Sequence, residues 1–257
     1  MPSLPTLSSN QVQLRCEDRV WIVSLARADK RNALTVAMYE DLRRVCEAAA
    51  ASEQPRALLF TAEGGHFCAG NDLGDFLAAT PESRAEGRLS PAMEWILALR
   101  RLDLPTIAAV RGHATGIGTT ALLHMDLVVA AEDARLTTAF IDLGLTPEAG
   151  SSQLLPARVG DQVTARLLLA GDTLSGREAQ QCGLVAYAVA DEELYATALQ
   201  LAQRLAAKPA AAMAATKALL RPQPEQLRER IEWESRLFAE RMFSADTRAR
   251  FDAFLAR

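Results

Sequence analysis

Apolar and polar residues follow two different rhythms along this chain, and the changes of rhythm mark its elements. Residues 12–16 and 20–25 alternate as the two strands of a β-hairpin turning at Glu17-Asp18-Arg19. Asp29-Lys30-Arg31-Asn32 breaks the pattern. Behind Thr35, a residue suited to capping a helix, Tyr39, Leu42, Val45 and Cys46 recur at helical spacing. Residues 57–60 form a short apolar run before Gly64-Gly65, the mark of a buried strand entering a tight turn. The pattern then predicts a helix over 91–101, buried strands over 106–110 and 127–130, and a glycine-rich loop at 112–118 that opens a helix. A turn at 147–152, helices near 161–169 and 175–181, and a last strand over 185–189 follow. From Glu192 onward the rhythm is helical, punctuated by Pro209 and by Pro222-Gln223-Pro224. Strands alternating with helices, then helices alone, predict an α/β core with a C-terminal helical appendage. Residues 1–11, rich in Pro, Ser and Thr, are expected as a flexible tail, 12–204 as the core and 205–257 as the helical region.

Composition narrows the function classes. Net charge is −4 with no basic block, which argues against a nucleic-acid surface. Arginines gather near the C-terminus, but Glu225, Glu229, Glu232, Glu234 and Glu240 are interleaved with them, the pattern of a solvated helical face. Cys16, Cys46, Cys68 and Cys182 are widely spaced, without a C-x-x-C pair or clustered histidine. Neither a disulfide framework nor a metal site is therefore expected, and the cytosol is the expected compartment. No apolar run reaches the length of a membrane span, and the N-terminus lacks the features of a signal peptide.

Two loops carry candidate chemistry. Phe67-Cys68-Ala69-Gly70-Asn71-Asp72-Leu73 and the 112–118 loop each follow a buried strand, and each carries glycines that let backbone N–H groups face outward. An N–H at a helix start has no intrahelical partner and sits at the positive end of the helix dipole. Two such groups aimed at one point can hold a carbonyl oxygen that becomes an enolate. Read singly, each loop is equally an ordinary turn. The second lacks the G-x-G-x-x-G spacing of a dinucleotide fingerprint.

Taken in order, Lys30-Arg31-Asn32-Ala33-Leu34, the Phe67–Leu73 segment, Gly112 to Gly118 with Asp126-Leu127-Val128, Pro147-Glu148-Ala149-Gly150, and Leu174 to Ala179 with Gly183-Leu184-Val185 resemble the crotonase (enoyl-CoA hydratase/isomerase) superfamily. The resemblance covers roughly residues 12 to 257. It implies a spiral of ββα units with C-terminal helices that pack into a homotrimer or a dimer of trimers. It also implies acyl-CoA thioester substrates, with no cofactor beyond the CoA they carry. The thioester oxygen would be held by the N–H groups of Asn71 and Ile117. Ala33, Ala69, Gly70, Asp72, Leu73 and Gly116 would border the substrate, and Lys30 and Arg31 would meet CoA phosphates unless they form only a solvated turn. Lys217, Phe251 and Phe254 of a neighbouring subunit are further candidates, though their aromatic spacing suits plain packing. Residues 78–89 are expected beside the acyl pocket. His66, His113 and His124 read as structural.

The reaction turns on which carboxylates are present. Hydratases of this superfamily are similar to one another in carrying two glutamates that handle water. At the matching positions this chain has Thr120 and Phe140. What remains is Glu148, which resembles the single glutamate of the delta-3, delta-2-enoyl-CoA isomerases, with Phe140 and Leu143 lining its pocket. The resemblance implies movement of a double bond from 3-enoyl-CoA to trans-2-enoyl-CoA by one base. Spacing alone leaves Glu148 a helix-start residue favoured by the dipole. Other readings are a dehalogenase-like or hydratase reaction, or a trimeric acyl-CoA-binding protein without catalysis.

Overall fold

Asp18 and Arg19, both with positive φ (46° and 64°), close the tight turn between β1 (Val12–Glu17) and β2 (Val20–Leu25), which pair antiparallel. The computed structural model describes residues 4–78, 89–221 and 223–255, except for the side chains of Phe76, Phe254 and Leu255. Asp41 accepts hydrogen bonds from the backbone and hydroxyl groups of Ser8 and Ser9, each at 2.8 Å. Burial raises the pKa of the Asp41 carboxyl, but these four bonds outweigh it and hold the group below its ordinary range. The expected loose tail is thus tied down from Ser8 onward.

Thr35 caps α1 (Val36–Ala50), accepting from Met38 N–H, and the buried stripe Met38, Tyr39, Leu42, Val45 and Cys46 follows the helical period read from sequence. α1 packs against α3 (Pro91–Arg100), which is capped by Ser90. β2 is followed by β3 (Ala57–Ala62), β4 (Thr106–Val110), β6 (Leu127–Ala131) and β9 (Tyr187–Val189) in one six-stranded sheet of order β1-β2-β3-β4-β6-β9, parallel beyond the hairpin. α7 (Asp191–Ala206) lies along β3, β4 and β6, so β4 has no exposed residue and reads as an unbroken apolar run.

A second sheet holds β5 (His113–Thr115), β7 (Arg135–Thr137) and β8 (Thr173–Ser175), each of three residues. Consecutive strands β4 and β5, and likewise β6 and β7, divide between the two sheets, which gives the spiral of paired strands and helices. α5 (Ser151–Leu168) is two helical stretches joined at Gly160, whose φ 76° and ψ 168° are not helical. The second starts at residue 161, where the pattern places a helix, and the first, which contains Pro156, follows the expected turn without a helical signal of its own. Ser175 and Glu178 form a reciprocal capping box on α6 (Gly176–Gln181). α8 (Ala210–Leu220), α9 (Pro224–Met242) and α10 (Ala245–Leu255) complete the chain. Among the described residues, no helix is long and apolar enough to cross a membrane, and no group of His, Cys, Asp or Glu could hold a metal ion.

Candidate active site

The two glycine loops meet. A parallel bridge joins Cys68 to Ala114: Cys68 N–H donates to His113 C=O (3.0 Å) and Thr115 N–H to Cys68 C=O (2.9 Å). A second bridge joins Leu34 to Asn71, through Leu34 N–H to Gly70 C=O (2.8 Å) and Asp72 N–H to Leu34 C=O (2.9 Å). Gly70 takes φ 102°, and Gly116 (φ 56°, ψ −120°) starts α4 (Ile117–Thr120), both in backbone regions that suit glycine. A Cβ on Gly118 would lie 2.8 Å from both the Cβ and the carbonyl oxygen of Cys68, so only glycine lets α4 rest on the first loop.

Most amides of these loops are bonded within the protein. Ala69 donates to Arg31 C=O and Gly116 to Thr137 C=O. The N–H groups of Asn71, Ile117 and Gly118 have no acceptor among the described residues. Two of these are the donors expected for an oxyanion.

Both loops open onto a cleft of about 600 Å³. Of the residues expected from sequence, Ala69, Gly70, Asn71, Leu73, Gly116, Phe140 and Leu143 line it. The Ile117 side chain is fully buried in the core, and only its amide follows Gly116 at the wall. Lys30, Arg31 and Ala33 are not on the wall. They lie in the loop bonded to its rim, where Lys30 and Arg31 are exposed. Asp72 is not on the wall either: its carboxylate pairs with Arg27 (2.7 Å) and accepts from Gly74 and Asp75 N–H at the start of α2 (Leu73–Ala78). Burial raises its pKa, but the Arg27 pair and these N–H bonds together outweigh burial and hold it below its ordinary range. Most of the 78–89 segment lies outside the described residues.

Glu148 does not line the cleft. It is 6% exposed, and its charge acts on the thiol of Cys68, the residue next to Ala69 on the cleft wall. Burial pushes that thiol up to about 12, Gly70 N–H opposes the rise and the Glu148 carboxylate adds to it. The carboxylate is therefore a neighbour of the first loop. The start of α5 is met by Glu234 of α9, which accepts from Gly150 N–H (2.6 Å), Ser152 N–H (3.0 Å) and the Ser152 hydroxyl (2.6 Å). Glu234 is thus buried at 4% exposure, not part of a solvated face.

Several residues at the site were not foreseen. Asn32, fully buried at φ 56°, donates to the carbonyls of Glu63 (2.9 Å) and His66 (2.8 Å) and accepts from Arg27 N–H (2.8 Å), stitching the first loop to its neighbour. An asparagine in a pattern break was the available signal, since it tolerates the left-handed region. Tyr39 OH donates to the Asn71 side-chain oxygen (2.5 Å). Phe238 and Arg250 line the cleft from this chain's own α9 and α10, with Phe238 edge-on to Phe140 at 6.4 Å, and Phe251, expected from a neighbouring subunit, lines it from this chain as well. Lys217 is elsewhere, paired with Asp126 (2.6 Å), and the Phe254 side chain lies outside the described residues.

His124 is fully buried, and its Nε2 lies 2.7 Å from Ala149 C=O, beside Glu148. Burial drives its pKa down to about 3, so the ring is neutral and Nε2–H donates. Between about pH 6.5 and 3 the unfolded chain binds the extra proton and stability falls with pH. Replacing His124 by Gln is expected to flatten that slope in denaturant titrations across this range.

The chain is similar to known proteins along nearly its whole length. The family model described as Enoyl-CoA hydratase/isomerase matches residues 15–257. A probable enoyl-CoA hydratase of Rhodobacter capsulatus is 34% identical over 98% of this chain and 97% of its own. The 1,2-epoxyphenylacetyl-CoA isomerase of Escherichia coli is 32% identical over 94% of each. The structure of Pseudomonas aeruginosa OdaA superposes with a TM-score of 0.91 at 37% identity, covering 97% of this chain and all (100%) of that one. Since the match runs through both amide-bearing loops and the Glu148 turn, the chain belongs to the enoyl-CoA hydratase/isomerase family.

Proposed function

We propose that this enzyme moves a double bond from 3-enoyl-CoA to trans-2-enoyl-CoA. The observation that carries the reading is the identity of the buried carboxylates. Among the described residues these are Asp41, Glu148 and Glu234. Asp41 is committed to Ser8 and Ser9, and Glu234 to the start of α5. Glu148 is the one beside the amide loops, while the hydratase positions hold Thr120 and Phe140. Glu148 removes a proton from C2, and the electron pair moves through C1 onto the thioester oxygen. The N–H groups of Asn71 and Ile117 stabilise that oxyanion, each by about 3 to 4 kcal/mol. The protonated Glu148 then delivers the proton to C4, C2 and C3 become the double bond, and no other reactant is consumed.

CoA arrives on the substrate, and no separate cofactor takes part. The exposed Leu219 and Leu220 of α8 suit burial between copies in a trimer or a dimer of trimers. The unbridged thiols of Cys16, Cys46, Cys68 and Cys182 suit the cytosol.

Hydration is the second reading, favoured by the name of the Rhodobacter capsulatus relative. One assay separates the two. With 3-hexenoyl-CoA, the expected result is a rise in ultraviolet absorbance from the conjugated thioester, with little 3-hydroxyacyl-CoA. Efficient hydration of 2-enoyl-CoA without bond migration would reject isomerisation.

A further inference from the structure

Glu148 is followed by two residues in left-handed backbone, Ala149 (φ 61°) and Gly150 (φ 71°). Such a pair persists only where its surroundings over-determine it, and for alanine the conformation costs energy. Three sets of contacts hold it. His124 Nε2–H donates to Ala149 C=O (2.7 Å). The Ser151 N–H (3.1 Å) and hydroxyl (2.6 Å) donate to Glu148 C=O. The third is Glu234, whose two oxygens take Gly150 N–H and both donors of Ser152 from a helix more than eighty residues along the chain. Leu227 and Ile231 of the same helix fill the space beside Gly150, at 2.6 Å and 3.3 Å from where a Cβ would sit. α5 has no side-chain cap from its own N-cap residue, so Glu234 supplies one from a distance. Phe238, one turn on, lines the cleft.

We propose that Glu234 is a positioning residue for the acid–base chemistry, pinning the Ala149-Gly150 turn and so fixing where the Glu148 carboxylate points. α9 is then part of the reacting apparatus as well as a wall of the cleft. The proposal rests on Glu148 being the base.

The test compares wild type with Glu234→Gln and Glu234→Asp in the full-length protein, using two readouts. One is isomerisation of 3-hexenoyl-CoA. The other is wash-in of solvent deuterium at C2 of butyryl-CoA, which needs the base and the oxyanion donors but no double bond. A glutamine turns an NH₂ toward one of the α5 donors, so Glu234→Gln should lower kcat and wash-in by about 10- to 100-fold with KM within about twofold. Glu234→Asp, which keeps the charge, should recover part of the loss. An unchanged kcat, or a loss that only tracks the folded fraction, overturns the proposal. If the glutamine variant does not fold, Ser152→Ala must show a several-fold loss in kcat alone, and its absence overturns the proposal equally. The two claims fail separately. Wild type that exchanges C2 protons without migrating double bonds defeats the isomerase reading alone, and Glu234 is then judged on wash-in. Wash-in indifferent to Glu148→Gln defeats both.

Discussion

Glu148→Gln is expected to lower kcat on a 3-enoyl-CoA by about 10²- to 10⁴-fold with KM little changed. The substitution keeps the volume of a side chain that is 6% exposed, so packing beside the Cys68 loop is preserved. It removes the capacity to take and return a proton, together with the negative charge. Steady-state rates on 3-hexenoyl-CoA, with thermal unfolding as a control, separate this from loss of fold. A variant that turns over within about threefold of wild type removes Glu148 from the mechanism.

The second large effect is steric. Gly118→Ala places a methyl 2.8 Å from the Cβ and carbonyl oxygen of Cys68, inside any normal contact distance. One of the two loops must then shift. Cys68 is two residues before Gly70 and is bonded to the second loop on both sides, so the Asn71 and Ile117 amides move relative to each other. Displacements well under 1 Å suffice to spoil donor geometry, and a loss of about 10²-fold in kcat/KM is expected. Gly65→Ala is the control: its added Cβ meets nothing within 4 Å, and it should leave the rate unchanged. Equal rates in Gly118→Ala and wild type would mean that the two loops do not jointly hold the reacting oxygen.

Where the information was local, the chain announced its structure. The Asp18-Arg19 turn, the Thr35 cap, the Ser175 to Glu178 capping box and the apolar run of β4 are each settled by neighbouring residues. β5, β7 and β8 were not legible, because three residues are too few for alternation and their pairing depends on partners far along the chain. The same division holds at the site. The glycine loops stand out because a left-handed or close-packed backbone restricts residue choice. Glu234 was hidden among interleaved charges, since its burial depends on Gly150 and Ser152 some eighty residues away. Phe238 and Phe251 sit on faces whose helical spacing says only that they pack, and the fold decides that they pack beside the cleft.

The central claim is that amides from two loops converge on one thioester oxygen with residue 148 facing the adjacent carbons. A crystal structure of the Glu148→Gln protein with bound 3-hexenoyl-CoA tests it most directly. The account predicts the thioester oxygen about 2.7 to 3.1 Å from the nitrogens of both Asn71 and Ile117, with C2 and C4 turned toward the residue 148 side chain. A thioester oxygen held by other groups, or an acyl chain turned away from residue 148, would contradict it.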